Sequence, residues 1–484
     1  MAIIILWLWL VPLLTIALIL LIAQPRWAEF LNLATAGVSL ALSLLLILIA
    51  PHHAVVLGDH FLLLTPLGLW VVLCVTIVYF LASVYAIGYM RLLTEERDRL
   101  PHFYALLCGF VLTMLIAPFM NNPGIYWIAI DLTTIVSAFL VGFEREAESA
   151  EAAWKYIIIV SAGLSLALLG ILFFYWAGTL QSGPVYDMTW NHLRLIAPGA
   201  PKALLLLAFL LTLVGFGTKV GLAPMHTWLP DAHSEGPAPV SALLSGALLN
   251  TAMLGIVRFL GILHAGGMGF AGRTALVVLG ALSLVIAGLF IVRQTGAKRL
   301  MAYSSIEHMG IVALGFGFGG VLGIAGAMYH MLNHALNKSL MFFGAGNMMR
   351  AYRSKDLRLM RRILKFYPVS GVIWLLGAIA ITGAPPFGLF QSEIAILRAG
   401  MAGPNMWAVW LMVLFLIVIF IGFLQHFRRM YMGAAPAPDH IPQMALSPWL
   451  TVPMWLTLIP LTILGLWWPP LLWHFFTQAA KVAR

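Results

Sequence analysis

The sequence predicts an all-α integral membrane protein with about 14 transmembrane helices, two of them broken. Of its 484 residues, 62% are hydrophobic and only 9% are charged, and the mean hydropathy is +0.98. Soluble domains are about one quarter charged, so this apolar surplus needs lipid as its solvent. Apolar runs of about 20 residues, long enough to cross the roughly 30 Å hydrocarbon core, recur from end to end. Two segments rich in Gly and Pro interrupt such runs.

The first apolar run is predicted to be a retained span. No Lys or Arg precedes it and no small-residue cleavage site follows it, so it does not fit a signal peptide. We expect one membrane domain over residues 1–484, without a soluble domain. The expected spans lie near 2–23, 28–50, 61–89, 103–119, 122–143, 153–176, 202–221, 240–263, 273–292, 301–319, 322–349, 367–397, 406–427 and 449–474.

The basic residues predict the orientation. Lys and Arg concentrate in the loops on one side, above all in residues 350–365. The positive-inside rule assigns that side to the cytoplasm, and an even number of spans places both termini on the opposite side. The net charge of +10 is explained by this topology signal, which can also bind anionic lipid, so we expect no nucleic-acid partner.

Two segments predict breaks within spans, namely 215–224 and 383–388. Proline removes a backbone donor and clashes with the preceding turn, so each segment should break a helix. At membrane depth a broken helix is tolerated only where it faces protein or a water-filled cavity. Breaks in corresponding parts of two halves are typical of transporters with an ion path between inverted repeats.

Asp131 lies about mid-span, and Lys219 lies beside the first break. An ionisable group at the membrane centre costs roughly 2.5–3.5 kcal/mol and so indicates a function. A carboxylate and an ammonium at about 4 Å attract by roughly 4 kcal/mol, which opposes the effect of burial. Lys219 could then change protonation as the carboxylate moves, as a proton-loading site requires. The alternative is a static ion pair that orients helices.

His330, His334 and Lys338 are spaced four residues apart and form one stripe on a helix. Asn333 and Asn337 widen this stripe. Histidine titrates near neutrality, so the stripe could relay protons. Two alternatives stay open: a structural hydrogen-bond stripe, and a zinc site, for which no thiolate or carboxylate lies nearby in sequence. We expect no metal.

Glu393 is the only acid in the last four predicted spans. It is expected to be the exit group of a relay, with a structural hydrogen bond as the alternative. Residues 225–235 contain several potential metal ligands, but we expect a loop on the cytoplasmic side whose composition reflects capping and packing. The same loop could form a proton entry funnel.

Other polar residues near or within spans are accessory candidates. Basic residues at span ends are explained most simply by snorkelling towards water, and this also applies to Arg258 as an outer anchor. No nucleotide-binding glycine motif, nucleophile–base triad or haem motif is present. The two cysteines, Cys74 and Cys108, exclude a disulfide framework and a Cys-based metal cluster. We therefore expect no cofactor and no catalysis by the chain alone. The accessory candidates are Lys155, His226, His233, Asn250, Lys298, Glu307 and His308.

Several motifs resemble the antiporter-like membrane subunits of respiratory complex I, of multisubunit cation/proton antiporters and of group 4 nickel–iron hydrogenases. The resemblance covers about residues 80–430 and is closest to component F of hydrogenase-4. The motifs are residues 215–219, 224–233, 239–246, 297–305, 332–340, and 137–142 followed by 151–156.

The resemblance implies 14 helices with two inverted five-helix repeats, at about 103–263 and 273–430. It implies a proton pathway in which Lys219 is the broken-helix lysine and Asp131 takes the place of its partner glutamate. His330, His334 and Lys338 match the central relay, and Glu393 the terminal site. Asp131 is one methylene shorter than glutamate. Asn250 and Ser245 stand where some relatives carry Lys and His, so the gap between Lys219 and Lys338 would need water.

The expected function is proton translocation within a redox-driven complex of the hydrogenase-4 or complex I type, in a prokaryotic inner membrane. The expected partners are other membrane subunits, lipid and a peripheral cytoplasmic arm that resembles a hydrogenase and carries iron–sulfur clusters. The alternatives are a Na⁺/H⁺ antiporter subunit without a redox partner and a structural scaffold that does not conduct.

Overall fold

The fold is a bundle of long helices with one small β-hairpin. A computed structural model describes residues 1–51, 53–183, 185–434, 442 and 444–482. The strands β1 (Val55–Leu57) and β2 (Leu62–Leu64) pair antiparallel. The helices are α1 (Ala2–Ile22), α2 (Pro25–Ile49), α3 (Pro66–Met90), α4 (Leu100–Ile116), α5 (Pro123–Val141), α6 (Ala147–Ser182), α7 (Trp190–Ile196), α8 (Lys202–Val220), α9 (Trp228–Glu235), α10 (Ala238–Leu243), α11 (Leu249–Ala265), α12 (Gly269–Ile291), α13 (Ala297–Phe318), α14 (Gly320–Tyr352), α15 (Ile363–Phe366), α16 (Pro368–Ile381), α17 (Gly388–Met401), α18 (Met406–Met432), α19 (Pro448–Leu466) and α20 (Pro470–Val482).

Within the described residues, 11 helices are long and apolar enough to cross a membrane. This confirms an all-α membrane protein. The helices α13 and α14, with 22 and 33 residues, are also long enough at 1.5 Å per residue, but they are richer in polar side chains. The count of 14 spans therefore stays a prediction.

The polar helix α14 occupies the centre of the bundle. It packs against α3, α10, α13, α16, α17, α19 and α20, and its residues from Gly323 to Met348 are buried. By contrast, α1 and α2 lie at the edge with large apolar side chains facing outwards, such as Leu21 (81% exposed) and Leu48 (76% exposed). This arrangement keeps the polar stripe of α14 away from lipid, where its groups would be costly.

Both predicted breaks are confirmed. The helix α8 ends at Val220, and Gly221 adopts a left-handed backbone with φ of +80°. The helices α16 and α17 are separated by residues 382–387, where Gly383 has φ of +67°. Only glycine adopts this conformation at little cost. Each break therefore leaves the carbonyl groups at the end of a helix inside the protein.

Two details differ from the sequence expectation. The predicted span 61–89 begins later, because residues 55–64 form the β-hairpin and Thr65 caps α3 by accepting a hydrogen bond from Gly68 N (3.1 Å). The predicted span 449–474 is divided into α19 and α20. Pro469 and Pro470 follow the end of α19, and proline favours the first turn of a new helix over the interior of one.

Candidate functional site

Lys219 lies at the end of α8, directly before the first break. Its side chain is fully buried, and its ammonium donates hydrogen bonds to Thr134 Oγ1 and Tyr156 Oη, both at 2.7 Å. Tyr156 Oη is also 2.8 Å from Ser137 Oγ. Helices α5 and α6 thus provide a cage of neutral oxygen atoms for this lysine. These hydroxyl groups give no signal in the sequence, although Tyr156 directly follows the candidate Lys155.

Asp131 does not form the expected contact with Lys219. Among the described residues, no ion pair within 4 Å joins Asp131 and Lys219, and the Asp131 charge acts on Lys219 from a longer distance. Asp131 is partly exposed on the outer face of α5, beside the exposed Ile128 and Leu132. The hydroxyl groups of Thr134 and Tyr156 reach the ammonium instead. In this conformation the carboxylate therefore stands apart from the lysine.

A second set of hydroxyl groups links α10–α11 to α13. Ser245 lies in a π-helical turn, Leu244–Leu248, and its Oγ is 2.7 Å from Ser305 Oγ. Turns of this kind are frequent at functional sites. Asn250 Nδ2 donates to Gly246 O at 3.1 Å, while its side-chain carbonyl has no hydrogen bond to any described residue. Ser245 and Asn250 thus place polar atoms between the Lys219 cage and α13–α14.

Lys338 forms the centre of the site on α14. Its ammonium is buried and donates to Met301 O (2.9 Å) and Ser304 Oγ (2.8 Å), both on α13. Glu307, also on α13, acts on the charge of Lys338. Ser304 lies beside the Glu307 carboxyl, yet neither carboxyl oxygen has a well-formed hydrogen bond to a described residue. A buried cation and a buried acid are thus neighbours without a direct bond.

Three histidine rings continue the site from Lys338 towards α17. His308 Nδ1 is 3.0 Å from His330 Nε2, and the ring of His334 lies 5.4 Å from that of His308, measured between centroids. His330 Nδ1 is 2.9 Å from Ser392 Oγ. All three rings are fully buried, and neither nitrogen of His334 has a partner among the described residues. The sequence predicted this stripe but missed Ser392.

Glu393 closes the site beside the second break. It is 4% exposed, and its carboxyl lies against Gly383, where a side chain would collide with it. The α14 stripe also supports the break, because Asn337 Nδ2 donates to Gly377 O at 3.0 Å and the Asn333 carbonyl lies against Gly388. The two asparagines therefore position the broken helix, whereas the histidines face the polar interior.

The basic side of the bundle carries a cavity of about 300 Å³ above the buried site. Its lining includes Glu144, Glu146 and Glu235 together with Lys298 and Lys355. Lys355 Nζ pairs with Glu146 Oε2 (3.0 Å) and Glu235 Oε2 (2.8 Å). Arg350 and Arg353 also line the cavity, and Arg350 pairs with Glu144 at 2.7 Å. The mouth thus carries charges of both signs, and each of its three carboxylates is paired with a cation.

Residues 225–235 are not the loop that the sequence predicted. Most of them form α9, in which His233 is fully buried, stacks on Phe342 of α14 and has neither ring nitrogen bonded to a described residue. Burial lowers the pKa of His233 well below its usual range, and the charges of Lys338 and Lys298 add to this effect. Burial also lowers the pKa of His226. His233 is thus electrostatically connected to the central lysine.

The snorkelling expectation holds for Lys155 but not for Lys298 or Arg258. Lys155 is exposed and pairs with Glu151 (2.6 Å) and Asp231 (3.5 Å). Lys298 is only 3% exposed and donates to Gly236 O at 2.6 Å. Arg258 points into the protein, donates to Pro118 O at 2.5 Å and stacks on Trp190. Free carbonyls at turns attract these two cations more than distant water does.

His308, His330 and Glu393 bring atoms that could bind a metal within 4.8 Å of one another. The zinc alternative considered from the sequence used His330 and His334 instead. However, the two rings of the new group bond to each other, and His330 also bonds to Ser392. The geometry is that of a hydrogen-bonded chain between titratable groups, which suits proton transfer.

Comparisons with known proteins identify the family of the chain. Residues 123–422 match the family described as NADH:quinone oxidoreductase/Mrp antiporter, transmembrane. The chain is 39% identical over 302 residues to a hydrogenase-4 component F homolog of Methylacidiphilum infernorum, covering 62% of each protein. It is 30% identical over 348 residues to hydrogenase-4 component B of Escherichia coli, covering 69% of this chain but 50% of that protein.

A solved structure has the same fold over nearly the whole chain. It is the Mrp complex from a Dietzia species, one chain of which superposes with a TM-score of 0.88 at 16% identity, covering 99% of this chain and 97% of that one. The curated relatives are matched over only half to two thirds of their own length. Because the family match spans most of the chain, this protein belongs to the NADH:quinone oxidoreductase/Mrp antiporter family of membrane subunits.

Proposed function

We propose that the chain translocates protons as one subunit of a redox-driven membrane complex of the hydrogenase-4 or complex I type. The observation that supports this most is the buried series of titratable and hydroxyl side chains from Lys338 through the histidines to Glu393. In a membrane interior such groups are expensive unless they serve a pathway.

Several of these groups have no hydrogen-bond partner among the described residues, which favours transport over a structural role. Buried polar atoms are almost always hydrogen-bonded in folded proteins. Here both Glu307 oxygens, His308 Nε2, both His334 nitrogens and Glu393 Oε1 have no hydrogen bond to a described residue. A structural stripe would be selected for satisfied bonds. A proton pathway needs free donor and acceptor sites that exchange partners.

The proposed route begins on the basic side, which the positive-inside rule assigns to the cytoplasm of a prokaryotic inner membrane. Protons enter near Lys219 or through the cavity lined by Glu144, Glu235 and Lys298 towards His233 and Lys338. They leave near Glu393 on the side of the two termini. The conducting core is residues 80–430, built from inverted repeats at about 103–263 and 273–430.

Movement of Asp131 relative to Lys219 provides the proposed coupling. Moving one charge against 100 mV needs about 2.3 kcal/mol, and forming a carboxylate–ammonium contact at about 4 Å contributes roughly 4 kcal/mol. The hydroxyl cage holds Lys219 while Asp131 is distant, so the approach of Asp131 could change the lysine's protonation. Partner membrane subunits and a peripheral iron–sulfur arm would drive that movement.

The test is Lys219→Met in membrane vesicles that contain the whole complex. We expect coupled proton uptake to be lost while the complex still assembles. Lys202→Met, at the exposed start of the same helix, is the matched control and should keep normal uptake. Normal uptake in Lys219→Met would refute the proposal. Flux that requires sodium and no electron donor would favour the antiporter alternative.

A further inference from the structure

Ser392 joins the histidine pair to the second broken helix. It lies on α17, directly before Glu393, and is fully buried. Its Oγ is 2.8 Å from Leu389 O and 2.9 Å from His330 Nδ1. A serine hydroxyl has one hydrogen to donate. It can therefore donate to the carbonyl or to the imidazole, but not to both at once.

When His308 and His330 are neutral, the donor or acceptor role of the Ser392 hydroxyl determines which ring nitrogen of each histidine carries the proton. If the hydroxyl donates to Leu389 O, it accepts from His330 Nδ1–H. His330 Nε2 is then unprotonated and accepts from His308 Nδ1–H across 3.0 Å. If the hydroxyl rotates and donates to His330 Nδ1, the chain reverses, and His330 Nε2–H donates to His308 Nδ1. A neutral imidazole carries one N–H, so these are the two fully bonded arrangements.

Each arrangement has a free end. In the first, His308 Nε2 is an open acceptor, and it has no hydrogen bond to a described residue. In the second, His308 Nε2–H lies near the carbonyl of Ile381, the last residue of α16. The other charged or titratable groups that face the pair are Lys338, Glu307, His334 and Glu393. The hydroxyl at the other end decides which arrangement is present.

We propose that Ser392 is a positioning residue that sets the direction of proton transfer through His308 and His330. The proposal rests on the proposed function. With Ser392 accepting, a proton that binds His308 Nε2 breaks the N–H bond at Nδ1 and forms one at His330 Nε2. The N–H bond at His330 Nε2 then breaks, and its proton bonds to a Glu393 carboxylate oxygen, which becomes the neutral acid. His330 keeps the Nδ1–H that Ser392 accepts, and His308 is left with its proton on Nε2. With Ser392 donating, His330 Nε2 is already protonated and cannot accept.

Ser392→Ala removes the hydroxyl and should let His330 adopt either tautomer. We expect proton uptake by vesicles with the whole complex to fall about tenfold, which corresponds to about 1.4 kcal/mol, because the hydrogen bond that selects the tautomer is lost. Ser392→Thr keeps the hydroxyl and should stay within about twofold of the native rate on the same scale. Ser339→Ala is the matched control, because the buried Ser339 hydroxyl donates to Ala335 O at 2.9 Å on α14.

A second readout separates positioning from a packing defect. The ¹⁵N resonances of His330 should report protonated Nδ1 in the native complex and in Ser339→Ala, and a mixture of tautomers in Ser392→Ala. An unchanged uptake rate in Ser392→Ala overturns the proposal, and so does an unchanged His330 spectrum. Glu393→Gln tests the proposed function separately. If it stops uptake while Ser392→Ala does not, only the role of Ser392 fails.

Discussion

The site around Lys219 and the histidine cluster differ in how their buried polar groups are hydrogen-bonded. The histidine cluster consists of His308, His330 and His334 with the neighbouring Glu307 and Glu393. Lys219 is a buried cation whose hydrogen bonds are well provided by Thr134 and Tyr156, and its possible counter-ion Asp131 stands apart. The histidine cluster holds several buried donors and acceptors without partners among the described residues. The first region holds its buried ammonium with two hydrogen bonds and has a carboxylate outside it, whereas the second contains several buried donors and acceptors without such bonds.

This difference separates two tasks of a coupled transporter. A cation held by two hydrogen bonds keeps its position until an approaching charge alters it, as a coupling element requires. Open donors and acceptors cost stability but can exchange protons with little rearrangement. The comparison predicts that substitutions at the Lys219 site lower both stability and transport, whereas substitutions in the cluster lower transport with little effect on stability.

The largest effect on proton uptake is expected at Lys338, the centre of the candidate site on α14. Lys338→Met should lower proton uptake by about a hundredfold or more, the usual loss when a positioned proton-transfer group is removed. The rate of proton uptake by vesicles with the whole complex measures this effect. Lys365→Met, exposed on the basic side, is the control and should leave the rate unchanged. If Lys338→Met conducts normally, the central relay is misplaced.

His334→Leu tests the open character of the cluster. The ring has no hydrogen bond to a described residue, so an apolar replacement should leave the melting temperature of the purified complex unchanged or raised. Uptake should fall about tenfold, which corresponds to about 1.4 kcal/mol in the barrier.

The matched control for His334 is His426→Leu. His426 is also buried but its Nε2 lies 2.8 Å from Ile291 O. This variant should lose about 1 kcal/mol of stability, as expected for an orphaned carbonyl, and keep normal uptake. A strongly destabilised His334→Leu would remove the distinction between the two regions.

Much of this site could be predicted, because an ionisable residue within a membrane span is costly and therefore indicates a function. Lys219, Lys338 and Glu393 were recognisable as charges within apolar runs, and the i, i+4 spacing placed His330 and His334 on one face. The serine and tyrosine hydroxyls could not be recognised, because Ser392 or Tyr156 costs little in a membrane helix and gives no signal in hydropathy. Their role depends on which helices meet.

Other differences between the predicted and the observed structure arose from contacts between helices that are distant in sequence. Lys298 was expected at the surface, but the carbonyl of Gly236 lies within its reach. Residues 225–235 were expected to be a loop, yet most of them form the buried helix α9. The Asp131–Lys219 distance depends on the rotation of α5, which the sequence does not specify. Local pattern thus predicted the elements, and helix packing decided the partners.

A smaller effect should sharpen the description of the Lys219 cage. Tyr156→Phe removes one hydrogen-bond acceptor from the ammonium and should cost about 1 kcal/mol of stability. The rate of proton uptake should fall about threefold, because Thr134 still accepts a hydrogen bond from the Lys219 ammonium after the bond to Tyr156 is lost. Melting temperature and vesicle uptake measure the two effects.

Tyr126→Phe provides the control for that variant. Tyr126 is fully buried, and its hydroxyl donates to Thr251 O at 2.5 Å, so stability should fall by a similar amount, about 1 kcal/mol. Uptake should stay normal because Tyr126 does not contact the lysine cage. Equal losses of uptake in both tyrosine variants would indicate general loosening of the bundle.

The smallest effect on proton uptake is expected at Lys355, which lines the cavity on the basic side. Lys355 is half exposed and pairs with Glu146 and Glu235, and such exposed pairs contribute about 0–1 kcal/mol. Lys355→Met should change uptake by less than about twofold at low ionic strength, and the difference should vanish near 1 M salt, where the Debye length is about 3 Å. A large effect that resists salt would place Lys355 within the pathway itself.

The central claim is that the buried side chains from Lys219 to Glu393 form one hydrated pathway. A high-resolution density map of the intact complex in lipid, sharp enough to locate ordered water, tests it most directly. We expect water to connect the Lys219 cage with Ser245 and Ser305, and then Glu307, His334 and the His308–His330 pair with Glu393. Hydrocarbon side chains that seal these groups from one another in every state would contradict it.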